Sequence, residues 1–245
     1  MIKNSFLIAT NRKYDTHSKI VVDQLESYGA LDDGEIIICC PFSIFDSFPS
    51  ELNERVKYIE DSNKQNGNVA FNEAATHSVG EYIYILCDDH NVPPEIMSGD
   101  EFLNDDNIFK DRKYKIGSMA SQATCHTGPI PNYPETNFMA KYVTCRFPFM
   151  NRETYVKHLQ GHIFHPYFNI CSHYADCYLS YFLGINWEGA QECSNIQLRA
   201  MANTDQKDAS VPVEQQFGHD DSLSIYTKLC ESLRIGDPYI DKVLL

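Results

Sequence analysis

A chain of 245 residues, 43% of them apolar, is long enough to bury one sizeable core. Its formal charge of −14 excludes a general nucleic-acid binder, which needs basic surface. No run approaches the roughly 18 apolar residues of a membrane span, and the apolar stretch within residues 1–10 is too short for a signal peptide.

Nine cysteines, an odd number with no CxxC pair, predict buried thiols rather than a structural zinc site or a disulfide framework. They point to a reducing, cytoplasmic setting.

In chain order, residues 5–10 read as a first strand. Residues 15–28 read as a helix with Ile20, Val21, Leu25 and Tyr28 on one face and Gly29 as its stop. Residues 35–40 form a second buried strand ended by Pro41, and 55–59 a short third one. A helix over 68–78 packs Ala70, Ala74 and Ala75 inward, and Gly80 introduces a fourth strand over 81–87. Strands alternating with helices or short connections predict a right-handed βαβ series and a mostly parallel sheet.

The later chain is less regular. Strands are expected over 114–118 and 138–147, with Gly128-Pro129-Ile130-Pro131 as a loop between them. Helices are expected over 151–159, 174–183 and 222–233, and the polar stretch 203–216 is expected to be mobile.

The fourth strand carries the strongest functional signal. The run Tyr82-Ile83-Tyr84-Ile85-Leu86-Cys87 stops abruptly at Asp88-Asp89-His90. In open α/β sheets ligands bind beyond the carboxyl ends of the strands. Two carboxylates directly after so apolar a strand are costly unless they have a partner. Carboxylate oxygens suit a hard divalent cation, and Mn²⁺ also accepts imidazole. Asp88 and His90, two residues apart at a bend, make one ligand pair.

Upstream, an Asn66-Gly67 loop leads into a helix carrying Asn72, followed by Gly80-Glu81-Tyr82 and the acid-ended strand. In this order the chain resembles the nucleotide-sugar half of a GT-A glycosyltransferase, family 2-like, over residues 5–91 and more weakly to about residue 183. The resemblance implies a single GT-A (Rossmann-like) α/β domain with a mostly parallel central sheet and flanking helices. Residues 1–91 would be the nucleotide-sugar-binding half and 92–245 the acceptor-binding half.

It further implies Mn²⁺ or Mg²⁺ on the donor diphosphate. The family's acidic motif can be laid on Cys87-Asp88-Asp89 or on Asp88-Asp89-His90. The second is similar to the Asp-x-His of the polypeptide GalNAc-transferases; it makes Asp88 and His90 the metal ligands and leaves Asp89 for the ribose or a metal-bound water. The family's base-reading Asp after the second strand is replaced here by Cys39-Cys40-Pro41, and its Arg before the helix Asn by Phe71. Thr10, Asn11 and Arg12 then stand as nucleotide contacts, with Asn66 and Asn72.

Gly161-His162-Ile163-Phe164-His165 loosely resembles the turn that precedes the family's catalytic Asp, which would be Asp176 at a helix start. By resemblance Asp176 is the base of an inverting transfer to a carbohydrate or other hydroxyl acceptor. His219 would be a late third metal ligand.

Rival readings are a nucleotidyltransferase, a hydrolase using His158 and His162, and a non-catalytic sugar-binding module. Asn11-Arg12-Lys13 lacks the glycines of a nucleotidyltransferase phosphate loop. Leu159 stands where a zincin helix needs Glu.

Overall fold

The computed structural model describes residues 2–61, 67–110, 113–120, 125–129, 139–143, 145, 147–169, 175–182, 193–200, 224–229 and 231. Asn66, His219 and the 203–216 stretch lie outside the described residues.

Four apolar runs pair in parallel: β1 (Asn4–Ala9) lies between β2 (Gly34–Cys40) and β4 (Tyr82–Cys87), and β3 (Val56–Glu60) pairs with β2 at the edge. β1 and β2 are buried almost throughout, as a sheet covered on both faces demands. The even-numbered side chains Phe6, Ile8, Ile36 and Ile38 face the helix α1 (Ser18–Ser27). The odd-numbered Leu7, Ile37, Ile83 and Ile85 face α2 (Gly67–Thr76) and α5 (Ala175–Phe182). The two-residue side-chain period thus separates two cores.

The sheet continues past β4 with strands from the later chain. Among the described residues its order is β10 (Cys193–Gln197), β6 (Ile116–Ala120), β9 (Pro148–Asn151), β4, β1, β2, β3. β9 runs antiparallel to both β4 and β6, so the sheet is parallel in its first half and mixed beyond it. Two small pairs complete it: β5 (His90–Asn91) with β11 (Arg199–Ala200), and β7 (Cys125–Pro129) with β8 (Met139–Val143).

Three expectations are corrected. The strand expected over 138–147 is β8 alone, and the sheet strand is β9, which begins at a proline. Gly128 and Pro129 of the expected loop are the end of a strand, Cys125–Pro129. The expected helix over 151–159 is a single π-turn, Thr154–His158. There the Leu159 N–H bonds Thr154 O at 3.0 Å, and Gln160 and Gly161 follow at φ 54° and 80°. Asn151 Oδ1 accepts from Thr154 N–H, which ends β9 and starts that turn. The connection over 100–115 holds two short helical turns, α3 (Gly99–Leu103) and α4 (Asp106–Phe109).

At the amino ends of the strands, buried Glu35 accepts from Ser5 Oγ (2.8 Å), Val79 N–H (2.7 Å) and Lys57 Nζ (2.9 Å). Gly80 N–H donates to the same Ser5 hydroxyl, and a Cβ on Gly80 would lie 2.7 Å from Ser5 N. One carboxylate therefore anchors β1, β2, β3 and the approach to β4, at the end opposite the acidic turn.

Candidate active site

β4 leaves the sheet at Cys87, turns through Asp88-Asp89 and becomes extended again at His90 in β5. The turn sends its two carboxylates in different directions. Asp88, 6% exposed, faces the end of β1: Thr10 Oγ1 donates to its Oδ2 at 2.6 Å and Arg12 NH1 to its Oδ1 at 2.8 Å. Thr10 is held in turn, its N–H on Cys39 O and its hydroxyl accepting from Arg12 N–H. Asp89 instead shares a proton with His90 Nδ1 at 2.6 Å, and the His90 ring, 8% exposed, packs against Phe147.

The electrostatics follow the same division. Burial pushes the Asp88 carboxyl up; Thr10 and Arg12 counter it, the charge of Asp89 adds to it, and the net shift is upward. Burial also pushes Asp89 up, but the hydrogen bond and charge of His90 and the charge of Arg12 outweigh it and hold Asp89 below the ordinary carboxylate value.

Cys87 Sγ, an Asp89 oxygen and a His90 ring nitrogen all lie within 4.8 Å of one another. Among the described residues this is the one His/Cys/Asp/Glu group close enough to hold an ion. A carboxylate, an imidazole and a thiol are a donor set that fits a divalent cation. The expected pairing of Asp88 with His90 is rearranged: Asp89 stands beside His90, and Asp88 is held by Thr10 and Arg12. Cys87 read as a lost acid in the sequence; its place beside Asp89 and His90 depends on the turn.

Other expected residues fall elsewhere. Asn72 uses both ends of its amide on one peptide group: Nδ2 donates to Phe164 O at 2.7 Å and Oδ1 accepts from Phe164 N–H at 3.1 Å. It therefore fastens α2 to the segment after Gly161. Asp176 opens α5, where its Oδ1 accepts from Cys177 N–H at 3.0 Å. Asn11 is exposed beside Thr10.

Among the described residues, His158 and His162 belong to no group of three or more possible metal ligands. The His158 ring meets Tyr114 edge-on, and His165 sits among the rings of Tyr167, Phe168 and Tyr178.

No protein-family model matches the sequence, and no curated protein resembles it closely enough to register. Solved structures do. The Staphylococcus aureus TarS 1–349 structure in complex with UDP-GlcNAc aligns with 99% of this chain and 69% of its own, at 11% identity and a TM-score of 0.52.

This is the GT-A fold.

Two further solved structures align over smaller shares of the chain. TarS 1–349 without a named ligand matches 82% of this chain and 60% of its own, at 12% identity and a TM-score of 0.47. Glucosyl-3-phosphoglycerate synthase from Mycobacterium tuberculosis, in complex with Mn²⁺, UDP and phosphoglyceric acid, matches 64% of this chain and 58% of its own, at 12% identity and a TM-score of 0.43. The chain thus spans about three fifths to two thirds of the GT-A structures it resembles. Among its described residues no helix is long and apolar enough to cross a membrane.

Proposed function

We propose that this chain is a glycosyltransferase that moves a sugar from a nucleotide-diphosphate sugar to a hydroxyl acceptor, with a divalent cation and with inversion. The observation that carries the proposal is the acidic turn at the carboxyl end of β4, facing Thr10 and Arg12 from the end of β1 in a GT-A fold. Residues 1–91 serve as the donor half and 92–245 as the acceptor half, and the free thiols of Cys39, Cys40, Cys87, Cys145 and Cys177 suit a reducing cytoplasm.

Each residue has a task in this scheme. His90 and Asp89 hold the cation, with Mn²⁺ or Mg²⁺ implied by the family resemblance. When bound, the cation neutralises the charge developing on the leaving diphosphate. Asp88 keeps Arg12 at the crevice, where the guanidinium pairs with a phosphate oxygen of the donor. Thr10 and Asn11 border the nucleotide. Asn72 holds the turn that leads to α5. Asp176, at the start of α5, takes the proton from the acceptor hydroxyl as it attacks the anomeric carbon and the nucleoside diphosphate departs from the opposite face.

Calorimetry with UDP and GDP, in Mn²⁺ or in EDTA, tests the donor site. Nucleotide binding should be at least ~10-fold tighter with the cation, because two carboxylates otherwise repel the diphosphate. Equal affinity in both conditions removes the cation from the mechanism. Asp176→Asn should keep donor affinity and lower turnover by at least ~10²-fold. Normal turnover in that variant moves the base elsewhere.

A further inference from the structure

We infer that Cys87 is itself a cation ligand, so that the strand end selects a thiophilic divalent ion such as Zn²⁺, Co²⁺ or Cd²⁺ over Mg²⁺. The inference rests on the glycosyl-transfer reading for the ion's purpose, but its donor set stands whatever the reaction.

Sγ of Cys87, the carboxylate of Asp89 and the ring of His90 lie within 4.8 Å of one another. They come from four consecutive residues, and the turn alone brings them together. Asp88, the remaining member, faces the other way, with Thr10 and Arg12 on its two oxygens. The site therefore offers one sulfur, one nitrogen and one carboxylate where a Mg²⁺ site offers oxygens. Thiolate and imidazole donors move selection toward Zn²⁺ and its neighbours.

The arrangement around His90 agrees. Asp89 Oδ1 and His90 Nδ1 lie 2.6 Å apart and share one proton, and an ion that takes the place of that proton is held by both atoms. His90 is further held by Phe147, whose ring centroid is 5.1 Å away. Bonds of about 2.0–2.3 Å to such donors put them roughly 3.5 Å apart, so binding parts the Asp89 and His90 atoms slightly and asks only modest side-chain rotation of the three residues. Three protein ligands leave a coordination position for a phosphate oxygen, as in an open catalytic site. On binding, the Cys87 thiol gives its proton to solvent and coordinates as thiolate.

Cobalt titration of the full chain without nucleotide tests this. A near-ultraviolet thiolate-to-cobalt charge-transfer band should grow to one equivalent and be absent from Cys87→Ser. Cd²⁺ affinity should fall at least ~10-fold in that variant, while Mg²⁺ affinity changes less than about threefold. If Cys87→Ser fails to fold, zinc-edge X-ray absorption on the unaltered chain answers instead, with one sulfur expected at about 2.3 Å. No charge-transfer band, unchanged Cd²⁺ affinity in the variant, or a shell of oxygen and nitrogen only overturns the role of Cys87.

The two proposals fail separately. Cation-dependent UDP binding with a sulfur-free shell overturns Cys87 and keeps the transferase reading. A sulfur-containing shell with UDP affinity indifferent to the cation keeps Cys87 and removes the cation from the proposed transfer.

Discussion

Asp88 is the residue at which stability and function pull apart. Its folded carboxyl titrates above the ordinary value of 3.8, first because it is buried and only partly offset by Thr10 and Arg12. A raised carboxyl binds its proton more tightly folded than unfolded. Its contribution to stability is therefore full below the ordinary value and is lost as pH rises through the raised one. At neutral pH the ionised Asp88 is a cost that the fold carries for its site. Asp88→Asn should leave the melting temperature at pH 7 within ~2 °C of the unaltered chain or above it, because the amide still offers hydrogen bonds toward Arg12 and Thr10. It should also leave the cation dependence of UDP binding in place, because Asp89 and His90 are unaltered, and weaken UDP binding about threefold or more, because Arg12 loses its charged partner at the crevice. Thermal melts from pH 4 to 8 with parallel calorimetry check both parts. A drop of more than about 5 °C would show instead that the Asp88–Arg12 pair holds the fold together.

The elements divide the sheet into a working end and an anchored end. At the carboxyl ends of β1 and β4 the polar groups form the acidic turn. At the amino ends, Glu35 on β2 is 1% exposed and joins Ser5, Lys57 and Val79. Burial pushes its carboxyl up, but the Val79 N–H, Lys57 and Ser5 outweigh that and hold it below the ordinary 4.5. The sign is opposite to that of Asp88: the stability contributed by Glu35 is present above 4.5 and is lost as pH falls through the lowered value. Glu35→Ala would leave the Ser5 hydroxyl and the Val79 N–H without this acceptor. At ~1–3 kcal/mol for a buried unsatisfied group, and less for the more exposed Val79 N–H, the expected loss at pH 7 is about 1–4 kcal/mol. Lys57, half exposed, adds little. Urea unfolding should show a lower midpoint with an unchanged slope, and the gap should narrow below pH 4.5. A gap independent of pH would make the loss one of packing rather than charge.

Over the whole molecule, the charge of −14 places the proposed cation site in a negative field. That field draws cations and repels free diphosphate, and salt screens it over about 8–10 Å at 0.1–0.15 M. Cation affinity without nucleotide should therefore fall several-fold between 10 and 150 mM NaCl, read by titration calorimetry. Affinity unaffected by salt would mean that only Asp89 and its immediate neighbours act on the ion.

The amino-acid sequence by itself determined the parallel half of this protein. The apolar runs of β1, β2 and β4, the small-residue face of α2 and the stop at Asp88-Asp89-His90 are local patterns, and burial imposes them wherever the chain folds. Only the tertiary structure decided what lies beside them. Pro148–Asn151 enters the sheet between β4 and β6 by pairing with residues thirty or more positions away, in Tyr82–Tyr84 and Ile116–Ser118. Asn72 bonds Phe164 across 92 positions, and Thr10 reaches Asp88 across 78. Local periodicity reports which side chains are buried, not which distant group meets them. For that reason the carboxylates of the acidic turn were legible in the sequence, and their division between Arg12 and His90 was not.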